Sequence, residues 1–225
     1  MKKLLLISGM ILIWTTSVFG AKYMTLGQAV KGFLPQGSKV FKVTRELSKD
    51  QRIRLKEDYG WTATEDSYVF YVGRNPEGEP QGYVFVVPEI FNTCFHKYAI
   101  GLSSQGEVLD TAIVELSCPR AFPVNRKSFL RQFRHKRHTH ALTLGEDIDA
   151  VTGATLSSET TSLATRKAVS LHNLFFGGGE AVSFSPEVQA SRKKSESLVK
   201  KAIESGETLW KDGEPKGDTP PSARE

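Results

Sequence analysis

The sequence lacks the markers of several common protein classes. Its one long apolar run, Leu4 to Trp14, is shorter than the roughly 20 residues that a helix needs to cross a bilayer. It holds only two cysteines, and neither lies in a CxxC or CxxCH motif, which argues against a dithiol redox centre and a c-type haem. It has no dinucleotide-binding glycine fingerprint and no set of nucleophile, base and acid that a hydrolase needs.

The N-terminus has the pattern of an export signal. Lys2 and Lys3 precede the apolar run, and small residues lead to a plausible cleavage site after Gly20. We therefore predict a signal peptide over residues 1–20 and a periplasmic location, with an uncleaved membrane anchor as the alternative. No cysteine stands at the cleavage site, so lipidation there is not expected.

The chain also has only a small excess of positive over negative charge. The net charge of +5 falls to +3 when the two lysines of the signal peptide are removed. A mildly basic, exported chain is a poor candidate for nucleic-acid binding, and we expect no such partner.

One segment, residues 126–140, is locally basic. It contains six cations and no acid: Arg126, Lys127, Arg131, Arg134, Lys136 and Arg137. The segment is either a solvated helix face and loop, or an electrostatic landing site for an acidic partner or a phosphate. Its three histidines, His135, His138 and His140, have no nearby cysteine or acidic ligand, and we predict no metal site.

The two cysteines are candidates for a disulfide. Residues 98–102 and 108–116 have the composition of strands around a turn at 103–106, and antiparallel pairing about that turn brings Cys94 near Cys118. The predicted compartment permits disulfides. We predict a Cys94–Cys118 bond, with free thiols as the alternative.

The remaining pattern predicts an α+β fold, in which helices pack on a mostly antiparallel sheet. Residues 21–67 are expected to supply helical elements, one capped by Thr25 and ending near Phe33, the other from Ser48 to Glu57. Residues 68–180 form the main domain, with hairpins at 68–87 and 98–116, a short helical stretch at 128–133, a loop at 144–153 and a strong helix from about Ser157 to Phe176. Residues 181–225 are read as a charged tail with one weak helix to about Glu204 and a disordered end.

The most informative segment lies where that loop enters the strong helix. Residues 147–158 read Asp-Ile-Asp-Ala-Val-Thr-Gly-Ala-Thr-Leu-Ser-Ser, which combines hydroxyls with Gly153, a residue able to take positive φ, and with the small Ala154. The free N–H groups of a helix N-terminus attract anions, so the segment is a credible phosphate site. The alternative is that Thr155, Ser157 or Ser158 merely caps the helix.

This segment resembles a known signature. Residues 149–155 are similar to the Asp-x-x-Ser/Thr-Gly-Ala-Thr/Ser flavinylation motif of the FMN-binding domain family, which includes covalent-flavin subunits of the sodium-pumping NADH:quinone oxidoreductase and of the Rnf complex. The resemblance extends over roughly residues 98–175, through Tyr98–Leu102, Gly106–Val108 and Phe129–Phe133, and continues in Leu156–Ser158. The chain departs from the family at 116–120, where Leu-Ser-Cys-Pro-Arg replaces a strand end that is often acidic.

The resemblance implies FMN as a covalent cofactor, joined through a phosphoester to Thr155 by a flavin transferase. It implies that Thr152 and Ser158 donate hydrogen bonds to the phosphate or cap the helix, and that Gly153 and Ala154 leave room for close approach. Asp149 is expected to shape the loop or to be read by the transferase. The implied cofactor-binding set is Asp149, Thr152, Gly153, Ala154, Thr155, Leu156, Ser157 and Ser158.

The expected function is that of an electron carrier between a membrane donor and a periplasmic acceptor. Two other classes stay open: a small FMN-dependent reductase component, and a non-redox interaction module in which Thr155 is never modified. A carrier is yellow after co-expression with the transferase, whereas the interaction module is colourless. Of these classes, we predict an electron carrier rather than a stand-alone enzyme.

Overall fold

The computed structural model describes residues 21–91 and 94–204. The predicted signal peptide, 1–20, and the predicted disordered end lie outside the described residues. Within them, no helix is both long and apolar enough to cross a membrane.

The described chain forms one six-stranded antiparallel sheet with helices on it, in the strand order β1-β6-β5-β4-β3-β2. The elements are β1 (Ala21–Lys22), α1 (Leu26–Phe33), β2 (Lys39–Glu46), α2 (Lys49–Glu57), β3 (Ser67–Arg74), β4 (Pro80–Phe91), β5 (Cys94–Ser103), β6 (Val108–Leu116), α3 (Lys127–Leu130), α4 (Thr155–Phe175) and α5 (Pro186–Glu204). Two 3-10 turns, Pro119–Asn125 and Arg131–Phe133, flank α3. The predicted α+β class with a mostly antiparallel sheet is confirmed.

The larger core lies on the face of the sheet that α4 covers. Phe70 and Phe85 stack there with ring centroids 4.7 Å apart, and Tyr98, Ile100 and Leu102 of β5 are fully buried beside them. Alternate residues of β5 point to opposite faces, and Ala99 therefore belongs to the smaller core under α1. Both faces of the central strands are thus covered.

Helix α1 approaches the sheet closely at one glycine. A Cβ on Gly101 would lie 2.7 Å from the Cβ of Phe33, well inside van der Waals contact. Glycine at position 101 therefore lets α1 lie directly on β5.

Helix α4 is the central helix, with sixteen of its 21 residues buried. Many of them carry hydroxyls, and several of these donate to backbone carbonyls one turn earlier: Thr160 to Leu156, Thr161 to Ser157, Thr165 to Thr161 and Ser170 to Arg166. A hydroxyl satisfied in this way can be buried without the cost of an unpaired polar group. This is how a helix of low hydrophobicity occupies the centre of the fold.

Strands β1 and β2 were missed by the sequence prediction. Strand β2, between the two predicted helices, pairs with β3 over its whole length, from Lys39↔Arg74 to Glu46↔Ser67. The weak helix predicted in the charged tail is α5, and its Val199 is buried in the larger core. The first part of that segment is therefore a docked element of the fold.

Candidate functional site

Thr155 is the first residue of α4, and its side chain is exposed. The N-cap residue is Ala154, with φ −134° and ψ 35°, and no side chain makes a cap hydrogen bond. The first N–H groups of a helix have no partner within the helix. The start of α4 therefore presents backbone donors beside an exposed hydroxyl.

The alternative in which Thr155, Ser157 or Ser158 caps the helix is wrong, because the N-cap is an alanine and α4 begins two residues earlier than predicted. The hydroxyl of Ser158 has a different task. It accepts a hydrogen bond from the Val151 N–H at 3.0 Å and donates one to the Ala154 carbonyl at 3.0 Å. Ser158 is fully buried, so it stabilises the turn before α4 and is not placed to contact a phosphate.

The residues around Thr155 divide into an exposed group and a buried group. Thr152 and Gly153 are exposed, whereas Ala154 and Ser157 are buried and Leu156 is half-buried against the larger core. Gly153 has φ +77°, a conformation that favours glycine, and a Cβ placed on it would meet nothing within 4 Å. The turn is thus anchored by Ala154 and open on the side of Gly153.

Asp149 shapes the loop through its backbone. Its N–H donates to the Gln132 side-chain carbonyl at 2.7 Å, and its carbonyl accepts from the Gln132 amide at 3.2 Å. Residue 149 is exposed. Gln132, which the sequence reasoning did not single out, therefore fixes the loop from the turn after α3.

The acid whose carboxylate orders the loop is Asp147. It accepts from the Thr143 N–H at 3.0 Å and forms an ion pair with Lys136, also at 3.0 Å. Asp147 lies two residues before the 149–155 motif, and its pairing with Lys136 depends on the tertiary fold. No local pattern could have predicted it.

A third support comes from α5. The buried guanidinium of Arg192 donates to three backbone carbonyls: those of Ala141 at 2.9 Å, His140 at 2.7 Å and Asp58 at 3.2 Å. It also stacks on Phe184, with 3.6 Å between the guanidinium carbon and the ring centroid. Burial lowers the pKa of Arg192 to about 9, so the group remains a cation at neutral pH. Arg192 fixes the start of the 141–154 loop.

Half of the cations in the basic segment are neutralised locally. Arg134 pairs with Asp110 at 2.7 Å, Arg137 with Glu107 at 2.7 Å, and Lys136 with Asp147. The other three, Arg126, Lys127 and Arg131, are exposed and have no ion-pair partner in the described part of the chain. The free charge is thus concentrated at 126–131.

The three histidines of this segment face different partners. His135 contacts Glu107 at 2.8 Å, His138 lies 3.8 Å from Glu180, and a ring nitrogen of His140 accepts from the Arg137 N–H. Within residues 21–91 and 94–204, no group of three or more potential ligands is arranged to hold a metal ion.

Cys118 is buried and disulfide-bonded, and the chain's only other cysteine is Cys94. The pairing of β5 with β6 passes through His96↔Leu116, which places Cys94 and Cys118 two residues further along the same antiparallel register. The backbone arrangement is therefore the one that the predicted pairing needs.

Two properties of the site around Thr155 suit a phosphoester: the hydrogen-bond donors of the helix start, and the open space beside the hydroxyl. It offers an exposed hydroxyl, open space beside Gly153, uncapped N–H groups and no acidic residue in the first turn of α4. A helix N-terminus of this kind favours negative charge. No known family model matches the chain, and no curated protein matches it either.

Proposed function

We propose that this protein is an exported electron carrier that holds FMN through a phosphoester on Thr155, within a fold of the FMN-binding domain type. The observation that carries the proposal is the exposed Thr155 hydroxyl at the first position of α4, next to N–H groups that no side chain caps. The Thr155 hydroxyl makes no hydrogen bond within the described residues, and it does not cap the helix. Thr155 is instead left available for chemistry.

Attachment requires a flavin transferase as the partner. The Thr155 oxygen attacks the FMN phosphorus of FAD, the pyrophosphate P–O bond breaks, and AMP leaves while a base takes the hydroxyl proton. Such phosphoryl transfer is assisted by metal ions, which belong to the transferase here. This chain contributes an accessible nucleophile on an exposed turn, and the absence of a side chain at Gly153 leaves the approach open.

The start of α4 then stabilises the product. A phosphodiester carries one negative charge, and the helix dipole together with the unpaired N–H groups favours an anion at this position. The Ser158, Gln132 and Arg192 contacts hold the turn in place without occupying those donors. FMN itself supplies the redox chemistry once it is bound.

The order of elements supports the proposed fold. The hairpin β5–β6, the short α3, the loop and the long α4 follow one another as the resemblance requires. Electron transfer from a membrane donor to a periplasmic acceptor is the role that fits a flavin-bearing protein with an export-signal pattern at its N-terminus.

The test is to co-express the chain with a flavin transferase in an exporting host, denature it and measure its intact mass. We expect a gain of one FMN less one water in the wild type and in Thr155→Ser, because serine keeps the hydroxyl. Thr155→Val removes the hydroxyl at nearly constant shape, so the gain should vanish.

Thr64→Val is the matched control, since Thr64 is also exposed but lies outside the 147–158 segment. It should keep the added mass. A colourless wild-type protein of unmodified mass would overturn the proposal and favour the interaction module. An equal gain in Thr155→Val would place the flavin on another residue.

A further inference from the structure

A cleft of about 330 Å³ opens between β6 and α3. It is lined by Asp110, Thr111, Lys127, Leu130, Arg131 and Arg134. A cavity of this size matches the lower end of the range for small-molecule sites. None of these side chains belongs to the motif around Thr155.

The cleft is positively charged. Lys127, Arg131 and Arg134 contribute three cations and Asp110 one anion, so two positive charges stay uncompensated. Arg134 is held by two hydrogen bonds to Asp110, at 2.7 and 3.2 Å, which orient its guanidinium at the wall. Lys127 and Arg131 have no ion-pair partner within the described residues and are available to a ligand.

Thr111, which also lines the cleft, is 2% exposed, and its hydroxyl makes no hydrogen bond within the described structure. A buried hydroxyl without a partner costs free energy. Leu130, 8% exposed, supplies an apolar wall nearby.

We propose that this cleft binds a small organic dianion, with Lys127 and Arg131 as its cationic ligands. Guanidinium groups recognise carboxylate and phosphate oxygens through paired hydrogen bonds, so the shared chemistry is a doubly charged oxyanion on a short carbon body. The body would lie against Leu130, and the charge would neutralise the two free cations. This site goes beyond the proposed flavin carrier and does not depend on it.

The experiment is calorimetric titration of the unflavinylated full chain with two probes, glycerol 3-phosphate and succinate, and with inorganic phosphate for comparison. We expect one-to-one binding of at least one of the organic probes with a dissociation constant below about 1 mM. The probe that binds tells a phosphate ester from a dicarboxylate.

Three variants locate the site. Lys127→Gln and Arg131→Gln should each weaken binding roughly tenfold, because each removes a charged hydrogen bond. Arg126→Gln is the matched control: Arg126 is exposed and unpaired like the other two but does not line the cleft. It should leave the affinity unchanged.

Absence of binding by both organic probes would overturn the proposal. So would equal weakening by Arg126→Gln and Arg131→Gln, because this would show diffuse attraction to the basic surface. Inorganic phosphate that binds as tightly as the better of the two organic probes would also overturn it, since the carbon body would then contribute nothing. Flavin attachment at Thr155 is read by mass and stands or falls separately.

Discussion

Helices α1 and α2 begin in a different way from α4. The side chains of Thr25 and Ser48 each accept a hydrogen bond from the backbone N–H three residues later. In return, the side-chain oxygens of Gln28 and Gln51 accept from the backbone N–H of the cap residue. Both surface helices therefore start with a complete capping box. Helix α4, the longest and most buried, starts from Ala154 with no cap bond at all.

The difference shows where each helix gets its stability. Helix α1 buries two residues and α2 buries one, so a cap is a large part of what holds them. Helix α4 is held by its buried body and by the Ser158 contact with the preceding turn. Its first N–H groups are consequently free to serve a ligand without loss of the fold.

The largest expected effect is the loss of stability at acidic pH, because the buried part of α4 contains His172. Burial, with a smaller contribution from nearby His138, lowers the pKa of His172 to about 4, and burial lowers the pKa of His96 to about 4 as well. The unfolded chain takes up these protons near pH 6.5, before the native state does. The contribution of these two histidines should therefore be constant above about pH 7 and fall between pH 6.5 and about 4, by up to about 3 kcal/mol for each histidine.

Urea unfolding measured across this range checks the prediction. His172→Gln removes one of the two groups, so its loss of stability between pH 6.5 and 4.5 should be clearly smaller than that of the wild type. If the unfolding free energy of His172→Gln fell with pH as steeply as that of the wild type, His172 would not contribute to the acid sensitivity, and this prediction would be contradicted.

The second test removes the contact that replaces a cap in α4. Ser158→Ala leaves the N–H of the half-buried Val151 without its acceptor, and we expect a loss of about 2 kcal/mol in the free energy of unfolding. Flavin attachment should also slow, because the turn that presents Thr155 loses its tie. Ser197→Ala, an exposed serine of α5, is the control and should be neutral. Unchanged stability of Ser158→Ala would contradict this account of α4.

A smaller effect is expected at the two capped helices. Thr25→Ala and Ser48→Ala each remove one side of a capping box and should cost about 1 kcal/mol. Denaturant midpoints of the two single variants give the values. If both were neutral, the capping boxes would not distinguish these helices from α4.

The smallest effect should be that of Thr155→Val on protein made without the transferase. The hydroxyl caps nothing, so unfolding free energy should stay within about 0.5 kcal/mol of the wild type. A loss as large as that of Ser48→Ala would mean that Thr155 supports the helix. The same variant is the one that should lose all flavin.

Much of the fold could be predicted from local patterns. The Thr25 and Ser48 signals mark α1 and α2, the aromatic and β-branched runs mark the two hairpins, and the apolar repeat marks α4. These elements carry their own periodicity or caps, so their sequence reports them directly.

The rest depends on tertiary contacts. Strand β2 is an edge strand with seven of its eight residues exposed, and its sequence does not alternate regularly between apolar and polar residues, so no half-buried strand pattern marks it. Helix α5 was predicted as a weak helix, but its docking was missed, because one of the groups that dock it, Arg192, is a cation that binds carbonyls rather than an apolar residue. The exposed position of Thr155 agrees with the sequence prediction, whereas the burial of Ser158 and the part played by Gln132 and Asp147 follow from chain segments that meet only in the fold.

The reach of Arg192 sets an order of events during biosynthesis. This residue joins carbonyls at positions 58, 140 and 141, yet it is made after all of them. The residues that lead into the loop before Thr155 therefore reach their final contacts only after α5 has docked. We expect a modifying enzyme that reads the folded turn to act only on chains in which α5 is in place.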